Sequence, residues 1–212
     1  VSVFADYTEG LRAVPFFNGP TAPRPEQSRQ SQAGVKLDLP YGFSASFALF
    51  DLRLTDVPTA NPIVPGQQIQ SGEQRSRGFE ADITWEPTRS LSILANYAYT
   101  DAKVTKDTVV PVGDRLARVP KHSGRIAVHY RVLTGALKKL SFGAGVTALS
   151  SRETWLPTVL AGGGKVQGYA VIDAQASYDF GRFTITVSGM NLGGRRAFDT
   201  YEYLSPVVAP IQ

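Results

Sequence analysis

The chain has 212 residues and a mass of 22.9 kDa, which allows one domain or at most two. Apolar residues make up 42%, and no apolar stretch approaches the ~20 residues of a spanning helix, so a helical membrane protein is excluded. Lys and Arg outnumber Asp and Glu by only 22 to 18 and are scattered, which argues against a nucleic-acid partner. Cysteine is absent and histidine is limited to His122 and His129, leaving no disulfide framework, no thiolate metal site and little scope for an imidazole one.

Taken in chain order, the sequence reads as strand after strand. Val1 to Thr8, Ser28 to Leu39 and Phe43 to Thr55 are the first three candidates, the third blurred by Phe50, Leu52 and Leu54 on its second face. Phe79, Ala81, Ile83 and Trp85 alternate with Glu80, Asp82, Thr84 and Glu86. Leu91 to Thr100 follows, then Arg125 to Arg131 and Leu140 to Thr147. Gly168 to Phe180 is the clearest, with Ala170, Ile172, Ala174, Ala176, Tyr178 and Phe180 on one face and Asp173, Gln175, Ser177 and Asp179 on the other. Phe183 to Ser188 completes about nine strands, many near the ~9–11 residues that cross a bilayer when tilted. No amphipathic helix competes. Val1 to Gly10 has neither a basic start nor an apolar block, so any export signal is expected outside this chain.

The connections separate a membrane barrel from a soluble sandwich. Short ones at Pro40 to Gly42, Glu86 to Ser90, Val132 to Lys138 and Gly181 to Arg182 alternate with long ones at Glu9 to Gln27, Asp56 to Gln68, Ala102 to Pro120 and Arg152 to Gln167. Tight turns at one end and long loops at the other are the pattern of an outer-membrane barrel, with its short periplasmic turns and long extracellular loops. Aromatics agree with that orientation. Phe43, Trp85, Tyr130, Phe142, Tyr178, Phe180 and Phe183 fall near the short-turn end, and Tyr7, Tyr97 and Tyr99 near the long-loop end. The expected lipid face carries Ile126, Val128, Leu140, Phe142, Ile172, Ala174, Ile185 and Val187. The expected lumen face carries Arg125, His129, Asp173, Gln175 and Ser177.

Motifs of catalysis dissolve on inspection. Asp179-Phe180-Gly181 spells a kinase magnesium motif but reads as a strand end and turn, since no phosphate loop accompanies it. Gly162-Gly163-Gly164-Lys165 lacks phosphate-loop spacing and reads as an extracellular loop. His122-Ser123 and His129, with Asp101 and Asp114 as candidate acids, invite a hydrolase reading; no nucleophile elbow supports it, so the chain is read as a non-enzyme.

Four strings in collinear order resemble the C-terminal barrel of TonB-dependent receptors, especially siderophore receptors. They are Pro25 to Leu39, Gly72 to Ala102 with its Arg-Ser-Arg-Gly-Phe-Glu strand, Arg115 to Arg131, and Val166 to Phe198. The resemblance covers nearly the whole chain. It implies an all-β, antiparallel, up-and-down transmembrane barrel segment in the outer membrane of a Gram-negative cell, about nine strands of the family's 22. Residues 1–212 are then expected to be a partial barrel domain, without the plug domain and the last strand. The implied function is TonB-coupled uptake of a ferric siderophore, with outer-membrane lipids around the wall and the TonB complex reached through the plug. No cofactor and no resident metal are implied. A passive porin-like or structural barrel is the alternative, and an outer-membrane hydrolase a weaker one. A haem receptor is disfavoured because Leu11 to Pro25 contains no His. The candidate ligand contacts are the loop residues Arg12, Phe16, Phe17, Trp155, Tyr201 and Tyr203, because aromatic faces and a guanidinium suit a bulky anionic ligand.

Overall fold

A computed structural model of the chain describes residues 1–14, 16–153, 164–200 and 208–211. Its elements are β1 (Ser2–Arg12), β2 (Glu26–Leu39), β3 (Phe43–Ala60), β4 (Gln68–Thr88), β5 (Leu91–Lys106), β6 (His122–Arg131), β7 (Leu140–Leu149), β8 (Arg152–Glu153), β9 (Lys165–Val166), β10 (Tyr169–Asp179), β11 (Thr184–Gly189), β12 (Ala197–Thr200) and β13 (Val208–Ile211). Nine of them form one antiparallel sheet in the order β1-β2-β3-β4-β5-β6-β7-β10-β11. Every strand pairs with its neighbour in the chain, except that β7 reaches β10 past the small β8–β9 ladder. β12 and β13 pair with each other apart from the main sheet.

The tight turns follow from local chemistry. Between β2 and β3 the chain passes through Tyr41 and Gly42 at φ 63° and 67°. Gly42 is required twice over, because a Cβ there would also stand 2.4 Å from the Glu86 carbonyl oxygen. Between β4 and β5 the Thr88 hydroxyl accepts from the Ser90 and Leu91 amides at 3.3 and 3.2 Å. After β10 the Asp179 carboxylate accepts from the Gly181 amide at 2.6 Å, and Gly181 takes φ 91°. The Asp-Phe-Gly string is thus a turn.

Register divides the side chains into two faces. Ile126 pairs with Val146, and Val146 with Ile172, so these apolar residues share one face. They are about half exposed, with Ile126 at 50% and Ile172 at 47%, and Val187 reaches 70%. A row of aliphatic side chains this open across several strands suits hydrocarbon rather than water. The opposite face brings together Arg125, Thr147 and Asp173. The Arg125 Nη1 donates to Thr147 Oγ1 at 2.7 Å and to Asp173 Oδ2 at 3.3 Å. His129 pairs across from Gly143, and Ser141 Oγ meets Ser177 Oγ at 2.7 Å.

Aromatics mark both ends of the apolar face. Phe43 pairs with Trp85 and Tyr130 with Phe142 at the short-turn end, where the Phe180 ring also lies 4.7 Å from Tyr178 and 4.9 Å from Phe183. Toward the long-loop end Phe79 stacks on Tyr99 at 5.8 Å, and Tyr99 meets His122 at 5.3 Å. Tyr7 stands one row beyond these, opposite Ser31.

One feature agrees with the sequence and one differs from it. As the blurred alternation of the third strand indicates, the polar face is not polar throughout: Phe50, Leu52 and Leu54 share it with Ala102 and Val104, the last two 5% and 2% exposed. Phe50 lies over Gly78, where a Cβ would meet its Cζ at 3.0 Å and the Tyr99 carbonyl at 1.8 Å, so only glycine lets the ring settle. The strands are also longer than alternation suggests. β4 runs for 21 residues, about twice what a tilted strand needs to cross a bilayer. Beyond Leu49 and Phe79 the outward face turns charged while Phe50, Leu52 and Leu54 stand on the inward one, so the hydropathy alternation changes phase while the hydrogen-bonded ladder continues. A bulge near Asp56, at φ 57°, accommodates Pro58 in β3.

Candidate functional site

The long connections collect at one end of the sheet, and hydrogen bonds join them in series. In residues 13–25, between β1 and β2, the Asn18 amide donates to Gln68 Oε1 at 3.1 Å, and the Gln68 amide returns a bond to Asn18 O at 2.7 Å. Asn18 Nδ2 also reaches Gly66 O at 2.8 Å. Gln70 exchanges two bonds with the Arg24 backbone, both 2.7 Å, and donates to Asp56 O at 3.0 Å. Arg24 adds an ion pair with Asp56 at 3.3 Å. The connection after β3 is tied to the one after β5 by Thr108 Oγ1, which donates to Ala60 O at 2.5 Å. That third connection folds on itself through Asp107, whose carboxylate accepts from the Val109 and Val110 amides. It then joins the next one where the Arg118 amide donates to Glu153 O at 2.8 Å. The result is a continuous rim at the end where the extracellular loops of such a barrel lie.

Of the residues singled out in the sequence, Arg12 is the last of β1 and pairs in register with Glu26. Its guanidinium forms an ion pair with the Glu26 carboxylate, which is 6% exposed, while the Arg12 side chain stays 64% exposed. Phe16 stands out from the rim at 78% exposure. Phe17 instead folds back over Gly19 and is half-buried. Trp155, Tyr201 and Tyr203 lie outside the described residues. The rim residues that sequence reading missed are Asn18, Gln68, Gln70 and Thr108. Isolated amide and hydroxyl side chains in loops carry no spacing signal, since their partners are about fifty residues away along the chain.

On the outward face, just beyond the apolar band, two polar rows cross the strands. The nearer is Tyr7, Ser31, Asp51, Arg77 and Asp101; the farther is Glu9, Arg29, Arg53, Arg75 and Lys103. Arg75 grips Asp51 through Nε, at 2.8 Å and 3.1 Å to its two oxygens, and through Nη2. Tyr7 Oη donates to Glu9 at 2.7 Å.

The hydrolase arrangement does not assemble. His122 Nδ1 meets Tyr97 Oη at 2.7 Å on the outward face, whereas Ser123, as the next residue of the same strand, points to the opposite one. Among the described residues no cluster of three or more His, Asp or Glu side chains could hold a metal.

A single antiparallel up-and-down sheet, apolar outside, polar inside, turned tightly at one end and looped at the other, is the wall of an outer-membrane β-barrel. Residues 1–192 match the family described as TonB dependent receptor-like, beta-barrel, and the chain belongs to that family. It is 37% identical over 188 residues to the metal-pseudopaline receptor CntO of Pseudomonas aeruginosa, covering 88% of this chain and 26% of that protein. It is 31% identical over 186 residues to the ferrichrome outer membrane transporter/phage receptor of Escherichia coli K12, covering 85% and 24%. Among solved structures, the siderophore receptor PiuA from Acinetobacter baumannii superposes with a TM-score of 0.80 at 22% identity, over 92% of this chain and 30% of that one. The chain spans about a quarter of the length of the curated relatives it matches.

Proposed function

We propose that this chain supplies part of the wall and part of the capture rim of a receptor that takes a metal chelate, a ferric siderophore first among them, across the outer membrane with energy from TonB. The observation that carries the reading is the rim. Three long connections are hydrogen-bonded to one another at one end of the wall, and the third reaches Glu153 at the start of the fourth, which builds an extended outer surface of the kind a capture rim needs. Family membership supports the coupling to TonB, and relatives named for metal-pseudopaline and ferrichrome support the ligand class. The remaining wall and the plug belong to the intact receptor in this reading. Arg12 and Phe16 are proposed as ligand contacts, together with Phe17, Trp155, Tyr201 and Tyr203. The exposed Phe16 ring offers a stacking face, and Arg12, four residues earlier, a guanidinium oriented by Glu26 whose remaining N–H groups can donate to an anionic chelate.

The test is uptake of radiolabelled ferric siderophores and other metal chelates by whole cells expressing the intact receptor. Uptake that stops when the proton-motive force or TonB is removed supports the proposal. Uptake that persists without either means a passive barrel. Truncating a contact such as Phe16→Ala or Arg12→Ala is expected to weaken chelate binding by ~2 kcal/mol or more, about thirtyfold.

A further inference from the structure

Below the rim, the two halves of the sheet line the lumen with opposite charge. On β1 to β4 the inward positions hold Asp6, Asp38, Glu80 and Asp82 against Lys36. On β6 and β10 they hold Arg125 and Arg131 against Asp173 and Asp179, and the turn entering β7 adds Lys138 and Lys139 beside them. Neither wall formation nor capture at the rim requires this division.

The basic half is also flat. β6 presents Arg125, Ala127, His129 and Arg131 inward in successive rows, and their β7 partners are Thr147, Gly145, Gly143 and Ser141. A Cβ at Gly145 would stand 2.9 Å from Arg125 Nη2, and one at Gly143 3.1 Å from Gln175 Cγ. The two glycines therefore let Arg125 and Gln175 lie across β7. Two hollows follow one another down this face. The upper, about 480 Å³, is bounded by Leu94, Arg125, His129 and Gln175. The lower, about 370 Å³, lies at the short-turn end between Arg131, Lys139, Ser141, Ser177 and Asp179.

The cations differ in how firmly they are held. Arg125 is bonded to Thr147 and Asp173. Arg131, Lys138 and Lys139 are exposed, and none pairs with a carboxylate among the described residues. Asp179, the nearest one, accepts from the Gly181 amide at 2.6 Å. Lys139 takes φ 81°, a left-handed conformation that glycine adopts at no steric cost. It is tethered there, because its amide donates to Val132 O at 3.1 Å and its carbonyl accepts from the Asp179 amide at 3.2 Å. The turn thus holds its lysines over the lower hollow.

We propose that the inward face of β6, β7 and β10 is the exit lane for a metal chelate of net negative charge, with Arg131, Lys138 and Lys139 as its last station before the periplasm. The lane rests on the reading of the chain as part of a chelate receptor, and it narrows the cargo to an anion. The acidic face of β1 to β4 repels such a cargo and the basic face attracts it. Small residues along β7 leave it room. Guanidinium and ammonium groups donate to carboxylate or phenolate oxygens of the chelate. Because these cations are exposed and several, they hold an anion loosely enough to pass it on, as a conducting wall must.

The test is thiol modification of Ser177→Cys, in the lower hollow, in energised cells expressing the intact receptor. The probes are the anionic sulfonatoethyl and the cationic trimethylammonioethyl methanethiosulfonates, each judged against the receptor without the substitution. The anionic reagent is expected to react at least about threefold faster than the cationic one, and both to slow when TonB is removed. Arg131→Gln with Lys139→Gln is expected to bring the two rates together, and Arg131→Lys with Lys139→Arg to keep them apart. In the uptake assay above, the glutamine pair is expected to slow import of the anionic chelates at least about threefold, with surface binding unchanged and neutral chelates unaffected. Should that pair fail to assemble, Lys139→Gln alone, in an exposed turn, carries the measurement. Equal rates for the two reagents, a ratio unmoved by the glutamines, equal slowing of neutral chelates, or uptake confined to neutral chelates would each overturn the proposal. A thiol protected with and without TonB would also overturn it, since the cations would then hold an acidic segment of the receptor itself. Uptake that persists without TonB counts against the function proposed above, whereas a failed reagent ratio with TonB-dependent uptake intact counts against the lane alone.

Discussion

The lower and upper halves of the same strands obey different rules. From Phe43 to Leu49 in β3 and from Phe79 to Trp85 in β4, one face is apolar and open and the other polar. From Asp51 to Ala60 and from Gln68 to Arg77 the ladder continues, yet the outward face is held by ion pairs such as Arg75–Asp51. The backbone is the same in both halves and the surroundings are not. Alternating hydropathy therefore reports the solvent on each side of a strand rather than the strand itself.

That contrast can be broken by exchanging chemistry between the halves. Ile172→Arg, in the middle of the lipid-facing row formed with Ile126 and Val146, is expected to destabilise the intact barrel by about 2–4 kcal/mol. Ser31→Arg, in the upper polar row, is expected to change it by about 0.5 kcal/mol or less. Urea unfolding of the detergent-refolded receptor measures both, and equal losses would contradict the division. Gly78→Ala, at the boundary, forces a Cβ against the Tyr99 carbonyl and the Phe50 ring and is expected to cost about 1–3 kcal/mol, read in the same unfolding experiment.

A smaller effect sharpens the picture of the upper half. Gln70→Ala removes the bonds to Arg24 and Asp56 that join the first two long connections, a loss of about 0.5–1.5 kcal/mol per bond. The expected readout is faster amide exchange and easier protease nicking in residues 13–25, with unchanged exchange in β6 and β7.

Much of this was legible in the residues. The short turns at Gly42, Thr88 and Gly181, the nine-stranded order and the two faces around Ile172 and Asp173 follow from alternation and turn chemistry alone. The strand extensions to Ala60 and back to Gln68 did not, because the bulge at Asp56 and Pro58 breaks the alternation on β3 and Gln68, Gln70 and Ser71 offer no apolar face on β4. The site was less readable. Arg12 could be placed at a strand end, but its engagement by the buried Glu26 depends on register. Phe16 and Phe17 look alike in sequence, and only the close approach of the Phe17 ring to Gly19 separates an exposed ring from a folded one. The Asn18–Gln68 and Thr108–Ala60 bonds join residues too distant in the chain for any local pattern to reveal.

The order of the sheet has a kinetic consequence. Each ladder from β1 to β7 closes between adjacent strands, and the sheet's longest skip is from β7 to β10. Loop-closure entropy is then met in small instalments, a hairpin at a time, which places this wall among the faster-forming β topologies for its size. A growing sheet of this kind presents a fresh edge to each next hairpin, so pairing can advance strand by strand from β1 toward β11.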